Sequence, residues 1–246
     1  KVWVVFLLFM ALAIAYSPYT GRAIRLFLNH GTYLMMFLLP FLLIRSRRDL
    51  EFWFSLLIYS FIPPIIAGDV DFVRGGRMTF DAGNRIFGTF SHPNILAFYL
   101  VLALAATTIY LMQYWKKLSK SKRVGLVLLL SNILFLLLIT KTRNAWLATI
   151  VLFGLYGFLR DRKILVILIL VGFLSLAAPP VQERIKDIFG KKQEQSYQGL
   201  NSLDLRIQMW KSSLPMIKER PWFGYGLTSF QPMTAKFSDV GENGAH

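Results

Sequence analysis

The sequence contains no cysteine, few histidines and few acidic residues. It has 0 Cys, 3 His and 13 Asp and Glu among its 246 residues. The lack of cysteine excludes disulfide bonds and thiolate metal ligands. The histidines do not form an H-E-x-x-H spacing, so the pattern gives no support for a zinc site. We expect no cofactor.

Long hydrophobic runs are what the sequence has in excess. Hydrophobic residues make up 55% of the chain, and the mean hydropathy of +0.49 lies above that of soluble domains. A membrane-spanning helix needs roughly 17 to 25 apolar residues, and several runs approach or reach that length. The pattern predicts an all-α, polytopic transmembrane helical bundle. We place seven spans at Val2–Tyr16, Ala23–Ile44, Phe52–Ala67, Ile95–Trp115, Val124–Thr140, Ala145–Leu159 and Ile164–Ala178.

The spans divide the chain into a transmembrane region, residues 1–178, and a large external loop, residues 179–246. Within the loop, residues Asn201 to Arg220 show the apolar period of an amphipathic helix. Arg206 lies at the edge of the apolar face, which we expect to be buried, and its guanidinium can reach outward. We expect Pro215 to kink or break this helix. The apolar positions are Leu203, Ile207, Trp210, Leu214 and Ile217.

The net charge of +15 is distributed unevenly between the predicted loops. Basic loops at Arg45–Arg48, Lys116–Arg123 and Arg160–Lys163 follow the second, fourth and sixth spans. They therefore share one side, which the positive-inside rule makes cytoplasmic. We accordingly attribute this charge to membrane topology, and expect no nucleic-acid partner. The outer face then holds Ser17–Arg22, Gly68–Pro93, Lys141–Asn144 and residues 179–246.

Cations also lie on or beside short outer loops, where the positive-inside rule predicts few. Their retention there suggests an anionic ligand, although anchoring to lipid phosphate is an alternative. Pro93 suits the first position of a helix. The exposed amides of that helix start would favour an anion near Arg85, although an ordinary capped helix start is the alternative. We interpret Asp69-Val-Asp71 as a solvated acidic loop rather than a metal site. The cations are Arg22, Arg25, Arg74, Arg77, Arg85, Lys141 and Arg143.

Four stretches carry a family resemblance in order along the chain. They are Arg85-Ile-Phe-Gly-Thr-Phe-Ser-His-Pro-Asn94, Thr140-Lys-Thr-Arg-Asn-Ala-Trp146, Arg206 and Trp210 before Pro221-Trp-Phe-Gly-Tyr-Gly-Leu-Thr-Ser-Phe230, and Gly244-Ala-His246. Together they resemble the motifs of the O-antigen ligase and polymerase superfamily. Its members are polytopic, metal-independent glycosyltransferases of the GT-C type. They move a glycan from a polyprenyl-diphosphate carrier to an acceptor hydroxyl on the outer side of the bacterial cytoplasmic membrane.

The resemblance implies a set of site residues and partners. Arg143 and Arg206 match the family's diphosphate-contacting arginines, and His246 matches the histidine of its Ala-His-Asn motif. Arg85 matches a further position, and both Arg85 and Lys141, which lies beside Arg143, are expected to be additional diphosphate contacts. The implied partners are an undecaprenyl-diphosphate-linked glycan donor, a glycan or lipid acceptor, and membrane lipids. Because the family's histidine usually precedes an asparagine and further spans, we expect this chain to be a fragment.

These residue types suit glycan transfer from a lipid diphosphate. Guanidinium groups bind phosphate in a bidentate manner and stabilise the leaving group without a metal. A histidine that titrates near neutrality suits the general base, and in-line attack inverts the anomeric centre. The alternatives are a lipid-linked glycan flippase, which would carry its charges at mid-membrane depth, and a scaffold whose outer loop binds a partner.

Overall fold

The computed structural model describes residues 2–79, 83–179, 181–182 and 202–237. It is 79% helical with almost no sheet, which confirms the predicted all-α polytopic class. The helices are α1 Val2–Ala15, α2 Thr20–Leu43, α3 Arg47–Ser60, α4 Ile62–Val73, α5 Pro93–Tyr114, α6 Lys120–Ile139, α7 Arg143–Leu159, α8 Arg162–Ser175, α9 Ser202–Glu219 and α10 Phe230–Phe237. Two short strands, β1 Arg77–Thr79 and β2 Gly83–Arg85, pair in antiparallel fashion.

Among the described residues, 4 helical segments are long and apolar enough to cross a membrane. The first is α2, and the second is the stretch Arg47–Val73, which combines α3 with α4. The third is α5 with the 3-10 turn that follows it, and the fourth is α6. The helices α1 and α7 are apolar but shorter. A helix satisfies its backbone hydrogen bonds internally, which is the condition for lying in lipid.

The chain divides into two compact units. The first comprises Lys1–Asp49 with Glu194–His246, and the second comprises Leu50–Gln193. Within the first unit, α1 packs against α2, and α9 packs against α10. Within the second unit, α5 packs against α6 and α7, α4 packs against α6, and α7 packs against α8.

The core of the second unit lies between α4, α5 and α6. Small residues on these helices allow close approach, as is common where helices meet in a membrane. At Gly68 of α4, an added Cβ would lie 3.2 Å from Leu136 Cδ1 of α6. The largest fully buried apolar side chains are Phe61, Ile65, Ile86, Leu96, Leu100, Ile133 and Leu136.

The boundary predicted between the third span and the outer loop was wrong. We expected the loop to begin at Gly68, but α4 continues to Val73. Pro63 lies in the first turn of α4, where a missing backbone N–H does not interrupt the helix. Asp69 and Asp71 are consequently helical and do not lie in a solvated loop. The hairpin that follows places Arg77 of β1 opposite β2.

The helix predicted at residues Asn201 to Arg220 is present as α9, and Pro215 lies inside it without breaking it. Its packing face differs from the expectation. The apolar positions whose side chains are described are each at least 36% exposed: Ile207, Trp210, Leu214 and Ile217. Ser212 and Met216, one turn apart, are buried instead. The predicted apolar stripe is thus an outward face of α9.

Candidate functional site

The guanidinium of Arg85 is the centre of a polar network in the second unit. Arg85 ends β2 and is only 2% exposed. Its Nε donates to Thr140 O at 2.7 Å, and its Nη2 donates to Thr142 Oγ1 at 2.6 Å. Nη2 also donates to Asn94 Oδ1 at 2.9 Å. These short, charge-assisted bonds join the hairpin to the start of α5 and to the turn between α6 and α7.

The start of α5 is capped in the way the sequence predicts. Pro93 is its first residue, and His92 precedes it in an extended conformation. The Nδ1 atom of His92 accepts a hydrogen bond from the backbone N–H of Asn94 at 3.1 Å. This capping leaves the side chain of Asn94 for Arg85 and for the Thr142 hydroxyl, which lies 3.2 Å from Asn94 Oδ1.

The turn between α6 and α7 is tight and adopts a backbone conformation that lysine disfavours. Lys141 has a φ of 53°. A left-handed conformation costs a non-glycine residue about 1–2 kcal/mol, so neighbouring contacts must hold it. The adjoining Thr140 and Thr142 are 0% and 5% exposed and both bind Arg85. The Trp146 indole also donates to the Leu137 carbonyl of α6 at 3.0 Å.

Arg143 begins α7 immediately after this turn and is exposed. Within the described part of the chain, its guanidinium forms no hydrogen bond or ion pair. The positive end of the α7 dipole and a free guanidinium fork together suit phosphate oxygens. Lys141, two residues earlier, is half-buried and has an interaction of its own.

A second cluster fixes the loop that follows β2. Asp71 Oδ2 accepts hydrogen bonds from the backbone N–H groups of Phe87 at 3.0 Å and Gly88 at 2.8 Å. Arg77 Nη2 lies 3.2 Å from the same oxygen and donates to the Gly88 carbonyl at 3.1 Å. The Arg77 guanidinium also lies over the Phe87 ring, 4.9 Å from its centroid. The Asp71 carboxylate therefore organises this loop.

The other aspartate of the D-x-D sequence has a separate partner. Asp69 Oδ2 accepts a hydrogen bond from Asn132 Nδ2 of α6 at 2.9 Å. Because residues two apart on a helix point in different directions, Asp69 and Asp71 serve different contacts.

In the first unit, a glycine-containing turn (residues 221–230) follows α9 and docks on the turn between α1 and α2. Ser17 Oγ donates to the Leu227 carbonyl at 2.7 Å. Gly226 has a φ of 87°, and an added Cβ there would lie 2.7 Å from Ser17 Cα. Only glycine fits this close approach, because it has no Cβ and tolerates positive φ.

A tyrosine ties the glycine-containing turn to the end of α9. The Arg220 guanidinium lies over the Tyr225 ring, 4.7 Å from its centroid. Desolvation, together with the negative charge of the Glu219 carboxylate, raises the pKa of the Tyr225 hydroxyl above its ordinary value.

The structure brings three of the predicted site residues to one end of the second unit: Arg85, Lys141 and Arg143. Arg206 lies on α9 in the first unit, where its side chain is outside the described atoms. His246 lies outside the described residues.

Sequence reasoning missed several neutral or acidic residues that build the site. Asn94 and Thr142 stand inside the stretches that carry the resemblance, but their side chains are uncharged, and no periodic signal marks them. In the sequence, Asp71 stands out only as half of a metal-like D-x-D spacing. Its hydrogen bonds to residues 16 and 17 positions away become visible only in the folded chain.

Comparison with known families gives a match that covers the turn and everything after it. Residues 126–246 match the sequence model of a family described as O-antigen ligase. Over this stretch, the chain belongs to the O-antigen ligase superfamily. Searches of the curated proteins and of the solved structures found no match to the chain.

Membership in the O-antigen ligase superfamily agrees with the apolar helices. Together they identify an integral membrane protein with a role of the ligase or polymerase type in glycosyl transfer. This family works on glycan and lipid-linked substrates. The matched stretch contains Lys141, Arg143, Arg206 and His246, whereas Arg85 precedes it and joins the site through its contacts with the turn.

Proposed function

We propose that this protein is a glycosyltransferase that moves a glycan from an undecaprenyl-diphosphate carrier to an acceptor hydroxyl. The reaction takes place on the outer face of the bacterial cytoplasmic membrane. The observation that carries the proposal is Arg143, an exposed arginine without a partner in the described chain, held at the start of α7 by a tight turn. It stands within the stretch that matches the O-antigen ligase family.

The chemistry needs stabilisation of the diphosphate as it leaves the anomeric carbon. Arg143 and Arg206 bind its oxygens, and Lys141 adds a further positive charge. A guanidinium offers a rigid pair of donors to each phosphate, so leaving-group charge is neutralised without a metal. The N-terminus of α7 adds the positive end of its dipole at the same place.

The acceptor hydroxyl must lose a proton as it attacks. His246 is the proposed general base, on the strength of its match to the family's histidine motif. An imidazole suits this role because its ordinary pKa lies near neutrality. Attack opposite the leaving diphosphate inverts the anomeric centre.

The proposed placement puts residues 1–178 in the membrane and residues 179–246 outside the cytoplasm. The exposed apolar face of α9 supports contact between this outer segment and lipid headgroups. Trp222 and Phe223, just after α9, are 89% and 76% exposed and add aromatic surface of the kind found at membrane interfaces. An amphipathic helix lying on the membrane keeps Arg206 near the level of a lipid diphosphate.

The test is transfer by the purified full-length protein in lipid nanodiscs, with an undecaprenyl-diphosphate-linked glycan donor and a glycan or lipid acceptor. We expect Arg143→Ala to lower kcat by about 100-fold or more, as loss of a transition-state donor does. Arg143→Lys keeps the charge but loses the guanidinium fork, so its activity should fall between that of wild type and that of Arg143→Ala. The matched control is Arg160→Ala. Arg160 is also exposed but lies at the C-terminal end of α7, so this variant should transfer normally.

His246→Ala should remove transfer while leaving donor binding intact, because the base acts only on the acceptor. Transfer that survives unchanged in both Arg143→Ala and His246→Ala would reject the proposed roles. Movement of a labelled glycan lipid across vesicles without a new glycosidic bond would instead identify a flippase.

A further inference from the structure

We propose that Arg85 is a positioning residue for the cations of the α6–α7 turn, acting through Thr140 and Thr142 rather than by contact with substrate. This inference rests on the function proposed above. Along the chain, the two threonines stand on either side of Lys141, and Thr142 directly precedes Arg143. A group that fixes both threonines therefore fixes the backbone from which both cations project.

The contacts of Arg85 have the geometry for this task. Its Nε–Thr140 O bond of 2.7 Å and its Nη2–Thr142 Oγ1 bond of 2.6 Å hold the two ends of the turn on one planar group. The bond of 2.9 Å to Asn94 Oδ1 connects the same guanidinium to the first turn of α5. Because α5 is long and carries much of the buried core, it gives the network a rigid base.

The turn requires this support for two physical reasons. Lys141 has a φ of 53°, which its own conformational preference opposes. The Thr140 carbonyl lies at the end of α6, where helix carbonyls lack intrahelical donors and a positive charge is favoured by the dipole. Arg85 supplies both a donor and a charge at that position.

The consequence concerns Arg143. Its guanidinium has no partner in the described chain, so its direction follows from the backbone of the turn and the start of α7. Catalytic contacts are sensitive to small displacements, and an error of about 1 Å can cost about 100-fold in rate. Loss of the Arg85 contacts should therefore reduce transfer while Arg143 itself remains present.

The activity test uses the full-length protein and the lipid-linked donor. Thr142→Val keeps the shape of the side chain but removes the hydroxyl that accepts from Arg85, whereas Thr142→Ser keeps the hydroxyl. We expect Arg85→Gln and Thr142→Val to lower kcat/KM by about 10- to 100-fold. Thr142→Ser should retain transfer.

The same changes in a background that lacks both cations, Lys141→Ala with Arg143→Ala, separate positioning from contact. A residue that acts through these two cations should have little further effect there, because the groups it positions are already gone. Losses that multiply in the combined variants would show that Arg85 contacts substrate directly and would overturn the proposal.

A structural test needs no activity. The chain has 0 cysteines, so Asn144→Cys gives a unique attachment point for a spin label beside Arg143. Ser121→Cys, exposed at the other end of α6, is the control. We expect Arg85→Gln and Thr142→Val to raise label mobility at position 144 and not at 121.

Unchanged mobility at position 144 would refute the positioning role even in an active enzyme. If Arg85→Gln and Thr142→Val raise label mobility but the wild-type protein shows no transfer, the positioning role is supported and the proposed function is rejected. The failure of the inference and the failure of the proposed function are therefore distinguishable. Thr142→Val removes no buried charge, and it carries the test should Arg85→Gln not fold.

Discussion

Replacement of Gly226 by alanine should detach the glycine-containing turn from the turn between α1 and α2. Gly226 has a φ of 87°, and its added Cβ would lie 2.7 Å from Ser17 Cα and 2.9 Å from Ser17 N. Both contacts are with backbone atoms, so no side-chain rotation relieves them. The hydrogen bond of 2.7 Å from Ser17 Oγ to the Leu227 carbonyl would be lost when the segments separate.

The expected loss of stability in Gly226→Ala has two parts. A left-handed backbone costs alanine about 1–2 kcal/mol relative to glycine, and overpacking at a tight contact costs about 1–3 kcal/mol. Gly224 is the matched control, because it has a φ of 63° but no atom within 4 Å of an added Cβ. Gly224→Ala should therefore show only the backbone cost, and the difference between the two variants isolates the steric clash.

The measurement is limited proteolysis of the full-length protein in detergent, together with chemical unfolding. Gly226→Ala should expose residues 221–230 to cleavage at a lower protease concentration than wild type, with Gly224→Ala in between. Equal protection of the two variants would refute the close approach of Gly226 to Ser17. A global loss of protection in the second unit would also contradict the argument, because the clash is local to the first.

Three further predictions follow from the second unit and from the proposed chemistry. Gly157→Ala should destabilise the α7–α8 pair by about 1–3 kcal/mol in chemical unfolding, since its Cβ would lie 2.8 Å from Leu165 Cγ and 3.0 Å from Leu165 N. Gly154→Ala meets its nearest atom at 3.9 Å and should be neutral or slightly stabilising, and equal losses would contradict this packing. Asp71→Ala removes the acceptor of two backbone N–H groups and should cost about 1.5–3 kcal/mol, whereas a neutral effect would show that the loop is held by other contacts. Transfer should persist in excess EDTA, and activity restored only by a divalent cation would reject leaving-group stabilisation by arginine alone.

The sequence determined the helices. An apolar segment in lipid has to satisfy its own backbone hydrogen bonds, so a run of sufficient length forms a helix whatever its neighbours are. The predicted spans accordingly lie on helices, although the third is divided between α3 and α4, and the period of α9 located that helix to within a residue at each end. The short polar stretch Lys141–Asn144 between two runs also located the turn that presents Arg143. The diphosphate roles of Arg143, Arg206 and Lys141, and the base role of His246, remain predictions.

Only the tertiary structure decided which side chains serve which contacts. The apolar period of α9 was correct, but a period reports that a helix has two faces and does not say which one packs on protein. Arg85 is buried and binds Thr142, 57 positions away, and its charge alone does not predict that partner. Asp71 binds loop amides in the same non-local manner. Such partners depend on how distant segments meet, because hydrogen bonds are directional and short, whereas a sequence pattern records only local spacing.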